Sequence, residues 1–216
     1  MIIKVRQTYH LPDQVSLEEA ALLEPLAIAL HSIDRSDLKA GQRVLVIGGG
    51  PIGLLAAQLA RLAGASAVMV STRSSYKREV ALRMGADRVV DPVNENLAEI
   101  VREVTEGRGI DICIEAAGTT QTIEQGFSLL GKRGRLIVVG TPPINSTITI
   151  NAFQLFLREA EIRSSFFSPY SFQRAIQLLP RLNLRPLISH CFNLSEIQQA
   201  MEVMRNQERI KVLLKP

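Results

Sequence analysis

Val44-Leu45-Val46-Ile47-Gly48-Gly49-Gly50-Pro51-Ile52-Gly53 runs an apolar, β-branched strand into three glycines and then into a helical pattern. Gly48, Gly50 and Gly53 stand in a Gly-x-Gly-x-x-Gly spacing, and each place has a physical reason. The first glycine permits the tight strand-to-helix turn, the second lacks the Cβ that would hold a pyrophosphate off the backbone, and the third lets the helix press against the sheet. Free amides at the helix start, with the positive end of its dipole, then face the phosphates. Pro51 has no N–H, so amides such as that of Ile52 must donate. Alone the motif is weak; here strand, turn, helix and second strand follow in order within one βαβ unit, which points to a bound dinucleotide.

Outward from this turn, short apolar runs alternate with helical stretches. The runs are 44–48, AVMVS (67–71), RVVD (88–91), IDICIEA (110–116) and RLIVVG (135–140). Between them lie amphipathic segments at Ile52 to Leu62, Lys77 to Met84, Leu97 to Val104 and Thr122 to Leu130. Alternation of this kind predicts an α/β fold, a doubly wound parallel sheet of Rossmann type buried on both faces. Upstream, a strand-like start spans Ile2 to Arg6, and Ser16-Leu17-Glu18-Glu19 reads as a capping box opening a helix to about Leu30. Beyond Pro142-Pro143 come a strand-like STITIN (146–151), a helix near Phe153 to Ala160, a sixth strand over Ile162 to Phe167, two more helices and a last strand, IKVLL (210–214).

The bulk properties narrow the possibilities. The chain has 216 residues, 46% hydrophobic and 21% charged, with net charge +4, as expected of a folded domain with a smaller appendage. Its cations are scattered rather than gathered into a tract, so no nucleic-acid partner is expected. Cys113 and Cys191 have no CxxC or Cys/His company, which excludes an encoded structural zinc lobe and suggests a reducing cytoplasm. No apolar run reaches the roughly 18 residues of a membrane span, and the start lacks a signal-peptide core, so no membrane association is expected.

The tip of the second strand separates the two nicotinamide cofactors, because an acid there bonds the adenosine ribose hydroxyls and repels a 2′-phosphate. That place holds Thr72, in Val70-Ser71-Thr72-Arg73-Ser74-Ser75-Tyr76-Lys77-Arg78, a stretch of hydroxyls and cations without an acid. Arg73 is placed to stack on adenine and pair with a phosphate, so NADP is favoured over NAD.

Several motifs in order resemble the medium-chain zinc-dependent dehydrogenases, particularly the sorbitol and threonine dehydrogenase branch. They are Leu11-Pro12-Asp13 with Glu18 to Leu26, the Gly48 to Gly53 turn, Leu82-Arg83-Met84-Gly85-Ala86, Ile114-Glu115-Ala116-Ala117-Gly118, Arg185 to His190 and Ile210 to Leu214. The resemblance implies that Val139, Gly140, Ser165 and Phe167 lie near the nicotinamide with Ile52 behind the ring. It also implies that Ala117 borders the cofactor, that Ser71 and Lys77 serve its adenosine end and that Lys211 reaches the pyrophosphate. Glu24, in the Glu-Pro pair, would lie beside a catalytic zinc, bound directly or through water. It further implies three parts: residues 1–15 as the end of a GroES-like catalytic domain, 16–168 as the dinucleotide-binding domain and 169–216 returning toward the catalytic domain. The family's cysteine, histidine and acidic zinc ligands are not found in this sequence, and His10, His31 and His190 are not at ligand spacing. Zinc is therefore expected only in a complete enzyme, and this chain by itself is expected to be inactive.

The leading expectation is the cofactor portion of an oxidoreductase moving hydride between NADP(H) and a secondary alcohol, polyol or ketone, assembled as a homodimer or higher homo-oligomer. The edge around Ser146 to Asn151, with Phe153 and Phe156, is the expected interface. The alternative is a non-catalytic nucleotide-binding or dimerisation module. A short-chain reductase needs Tyr-x-x-x-Lys, and Tyr9, Tyr76 and Tyr170 are followed four places on by Asp13, Val80 and Arg174. A methyltransferase wants an acid where Thr72 stands.

Overall fold

A computed structural model of the chain describes residues 8–206 and 208–216; the strand expected over Ile2 to Arg6 lies outside them. Six strands form one parallel sheet: β1 (Arg43–Ile47), β2 (Ala67–Ser71), β3 (Arg88–Val90), β4 (Ile110–Glu115), β5 (Leu130–Val138) and β6 (Glu161–Ser164). Their order is β3-β2-β1-β4-β5-β6. The chain starts in the middle, steps outward to β3 and returns across β1 to β4. That reversal is a topological switch point, beyond whose carboxyl ends a crevice opens. The doubly wound α/β sheet read from the sequence is the fold of this chain.

Among the described residues nine α-helices connect and cover the strands: α1 (Leu17–Ala20), α2 (Leu23–Ser36), α3 (Pro51–Leu62), α4 (Ser75–Arg83), α5 (Leu97–Val104), α6 (Thr120–Ser128), α7 (Ala152–Arg158), α8 (Phe172–Leu178) and α9 (Ile197–Val203). Side chains alternate across each strand, so β1 to β5 serve two cores. Val44, Val46, Val68, Val70, Ile112 and Ile114 pack with residues of α2, α3 and α8. Leu45, Ile47, Met69, Cys113 and Leu136 pack on the opposite face with α5 and α6. Ala175, Ile176, Leu184, Leu187 and Ile210 belong to the first of these cores, which binds the C-terminal segment to the sheet unit. A bidentate pair from Arg174 to Asp34, at 2.6 and 3.0 Å, joins α8 to α2.

Local chemistry sets the helix starts. Ser16 accepts from the Glu19 amide and Glu19 accepts from the Ser16 amide, the expected capping box. Asn96 caps α5 and Thr119 caps α6. The single helix expected from Ser16 to about Leu30 is instead broken between α1 and α2. Pro25 lacks the N–H that would bond to Ala21, and its ring crowds that carbonyl, so the first helix stops a turn earlier.

Other expectations need correction. STITIN (146–151) forms no strand, because the outer side of β5 is taken by β6 and the Thr149 amide bonds to Glu124 instead. The fifth strand begins at Leu130 rather than Arg135: Ile110 stands opposite Leu130 and Ile112 opposite Arg135, with the register shifting between them. β6 ends at Ser164, short of Phe167, whose φ of 55° leaves the extended region. The sequence reading did not foresee β7 (Ile188–Asn193), which pairs in parallel with β8 (Lys211–Lys215) in a separate two-stranded sheet.

Candidate functional site

Gly48 follows β1 with φ 117°, a conformation open to glycine, and so turns the chain sharply into α3. A Cβ on Gly53 would stand 2.0 Å from the Gly48 carbonyl oxygen, which is how closely the helix sits on the turn. A Cβ on Gly50 would meet nothing within 4 Å, because that residue looks into open space. Gly50 is also the N-cap of α3, and no side chain caps the helix. With Pro51 at the first position, the remaining first-turn donors face outward for a ligand.

The space they face is a cleft of about 510 Å³ over the switch point. Gly48 and Gly50 form one wall; Ser71, Thr72, Arg73 and Lys77 form a second, and Ala117 lies on a third. Seven residues expected from sequence thus meet in one place. Among the described residues that line the cleft none is acidic. Pro51, Ile52 and Gly53 continue the glycine turn into α3 behind this wall. Val139 and Gly140 follow β5, and Ser165 and Phe167 follow β6, all along the same carboxyl edge of the sheet but outside the cleft lining. Ser165 is buried with its hydroxyl unpartnered, whereas Phe167 is exposed and stacks edge-on against Phe166. Lys211 stands apart, on β8.

Lys77 is half-buried, and burial first, then the charges of Arg209 and Arg73, hold its ammonium below the usual lysine range. Arg73 and Lys77 therefore stand together at one end of the cleft, with the charge of Arg209 felt at Lys77, an arrangement that attracts a phosphate. Arg78 differs from them: its Nη1 donates to the carbonyls of Thr72 and Arg73 and its Nη2 faces Asp91.

The sequence reading missed several participants. Pro92, Val93, Thr119, Thr122 and Gln125 also line the cleft. A Cβ on Gly49 would fall 2.6 Å from Thr72 Oγ1, so the middle glycine is required by the neighbouring strand tip. Glu115, at the end of β4, is fully buried. Its Oε1 accepts from the Ala117 and Gly118 amides and from the Thr122 hydroxyl, each at 2.8 Å. A glutamate closing an apolar strand just before Ala-Ala-Gly was the signal for it. Its charge and burial together push the Cys113 thiol above the ordinary range, burial being the larger cause, so that thiol stays protonated.

A zinc ion does not fit these residues by themselves. Among the described residues no group of three or more histidines, cysteines or carboxylates could hold a metal. Glu24 is exposed on the first turn of α2, away from any such group.

The family model described as zinc-binding dehydrogenase matches residues 51–181. A sorbitol dehydrogenase of Gallus gallus is 34% identical over 96% of this chain and 59% of that protein. An L-threonine 3-dehydrogenase of Caldanaerobacter subterraneus subsp. tengcongensis is 32% identical over 94% of this chain and 59% of its own length. The solved structure of a zinc-binding dehydrogenase from Sinorhizobium meliloti 1021, bound to NADP, superposes with a TM-score of 0.91 at 36% identity, covering 98% of this chain and 63% of that one. The chain thus spans about three-fifths of the length of these relatives.

Proposed function

The chain belongs to the zinc-binding dehydrogenase family, and from that premise we propose that its cleft holds a nicotinamide dinucleotide, NADP in preference to NAD. In this reading the chain is the cofactor-binding portion of an oxidoreductase that moves hydride between that cofactor and a secondary alcohol, polyol or ketone. The observation that carries it is the uncapped start of α3, with Gly50 open to the cleft, facing Thr72, Arg73 and Lys77 across a lining without an acid.

Each part then has a task. The first-turn amides from Ile52 onward hold the pyrophosphate, and Gly50 lets it come close. Ser71 and Thr72 face the adenosine ribose, Arg73 and Lys77 bind a phosphate at its 2′ position, and Pro92 and Val93 border the adenine. Ala117, Val139, Gly140, Ser165 and Phe167 border the nicotinamide end, with Ile52 behind the ring; Lys211 reaches the pyrophosphate from the C-terminal segment. The bound nicotinamide supplies the hydride acceptor, and this chain orients it and shields one flank from water. Zinc, with Glu24 nearby, enters only where further ligands complete a site.

We divide the chain by task into 1–15, 16–168 and 169–216, although the last two share one core. The NADP-bound relative at 36% identity supports the cofactor reading. Exposed Phe153 and Phe156 on α7, the helix that packs on β5 and leads into the edge strand β6, support a homodimer or higher homo-oligomer. A cytoplasmic, reducing setting suits the two free cysteines.

Arg73→Ala tests the cofactor assignment. The dissociation constant for NADPH is expected to rise about tenfold, as for a lost charged contact, with that for NADH nearly unchanged. Equal effects on the two would sink the preference for a 2′-phosphate.

A further inference from the structure

Only Thr72, Arg73 and Ser74 separate the end of β2 from the start of α4, and in so short a turn backbone carbonyls run out of regular partners. Two of them find the same donor. Nη1 of Arg78 bonds to the Thr72 carbonyl at 2.9 Å and to the Arg73 carbonyl at 2.8 Å. Nη2 of the same guanidinium lies 3.1 Å from Asp91 Oδ2, just past β3. That carboxylate accepts from the Val93 amide at 3.1 Å and from Asn94 Nδ2 at 3.0 Å, so Asp91 in turn fixes the loop that contributes Pro92 and Val93 to the cleft. One planar group therefore ties together the exits of β2 and β3, the two loops that form the adenosine end.

The pair is well placed to be rigid. The side chains of Arg78 and Asp91 are 19% and 15% exposed, against 48% and above for at least one partner in several other ion pairs of this chain, and screening by water is correspondingly weaker. The guanidinium fork meets two carbonyls and a carboxylate at once; a lysine ammonium at the same place keeps the charge but not that fork. With Nη1 bonded to two carbonyls and Nη2 facing Asp91, and outside the cleft lining, Arg78 acts through the turn rather than on a ligand.

We propose that Arg78 is a positioning residue for cofactor discrimination: by pinning the carbonyls of Thr72 and Arg73 to Asp91 it holds Arg73 toward the cleft, so that preference for a 2′-phosphate depends on a side chain that does not touch it. The inference rests on the NADP reading of the cleft and explains how a three-residue turn can discriminate at all. A phosphate-binding arginine on a loose turn would lose much of its advantage to ordering entropy.

The test uses the full chain as wild type, R78A, R78K and D91N. NADPH and NADH are titrated separately by nucleotide fluorescence, trypsin cleavage after Arg73 is timed without nucleotide, and thermal unfolding is followed. In R78A the affinity for NADPH is expected to fall roughly tenfold and that for NADH less than about threefold, while cleavage after Arg73 accelerates. R78K is expected to lose part of the preference although its charge is retained, and D91N to lose a smaller part. If R78A fails to fold, R78K carries the same comparison. A variant that weakens both nucleotides equally, or an R78K with the full wild-type preference, overturns the inference, since either packing or charge alone would then suffice. Failure of the cofactor reading looks different: wild type itself would show no preference for NADPH.

Discussion

At Glu115 three donors converge on one carboxylate oxygen at 2.8 Å, inside a residue with no exposed surface. Removing that acceptor takes the side-chain partner from the Ala117 and Gly118 amides, at about 1–3 kcal/mol for each donor left unpaired, while the Thr122 hydroxyl keeps the Thr119 carbonyl at 2.9 Å. Glu115→Ala is expected to lower stability by about 3 kcal/mol or more in chemical denaturation. Glu115→Gln keeps one acceptor oxygen and is expected to cost about 1 kcal/mol; equal losses would mean the carboxylate's hydrogen bonds are not what matters. Lys77 gives a prediction in pH. Its folded-state affinity for a proton is lowered by burial, then by Arg209 and Arg73. The unfolded chain therefore holds that proton to higher pH, and this residue's contribution to stability grows as pH rises through its folded value. Phosphate binding works in the opposite direction, because it favours the charged ammonium. The ratio of NADPH to NADH affinity is expected to be level near neutrality and to shrink as Lys77 discharges, before the ordinary lysine range of about 10.4. A ratio constant up to pH 10 contradicts that role.

Among the elements, what could be read from sequence was what local chemistry decides. β2 and α5 have the bounds expected, because a β-branched run and an Asn-capped amphipathic stretch depend on few distant partners. The glycine turn was legible for the same reason, and it brought seven expected residues to one cleft. Where partners decide, the sequence was silent. STITIN alternates like a strand, yet its neighbour's free edge belongs to β6. Arg78 bonds mainly to backbone carbonyls, which carry no mark in a sequence. Helix α7 poses an element-scale question, since Phe153 and Phe156 are 64% and 78% exposed on it. Such a patch is what a partner would cover. Light scattering is expected to show a dimer that Phe156→Glu converts to monomer; a wild-type monomer at micromolar concentration removes the idea.

For the molecule as a whole, the order of the strands matters more than any one residue. Reversal between β1 and β4 opens the cleft, the β1 exit supplies the amide-lined turn, the β2 exit supplies the cations, and the β4 exit closes the far side. The segment beyond β6 packs into the same core and brings Arg209 close enough for its charge to be felt at Lys77. In this account the chain is a preformed holder for a phosphorylated dinucleotide. Calorimetric titration of the wild-type chain with NADPH and with NADH tests that most directly. One NADPH per chain, bound at least about tenfold more tightly than NADH, is the predicted result; absence of binding by both nucleotides, or NADH bound as tightly as NADPH, would contradict it.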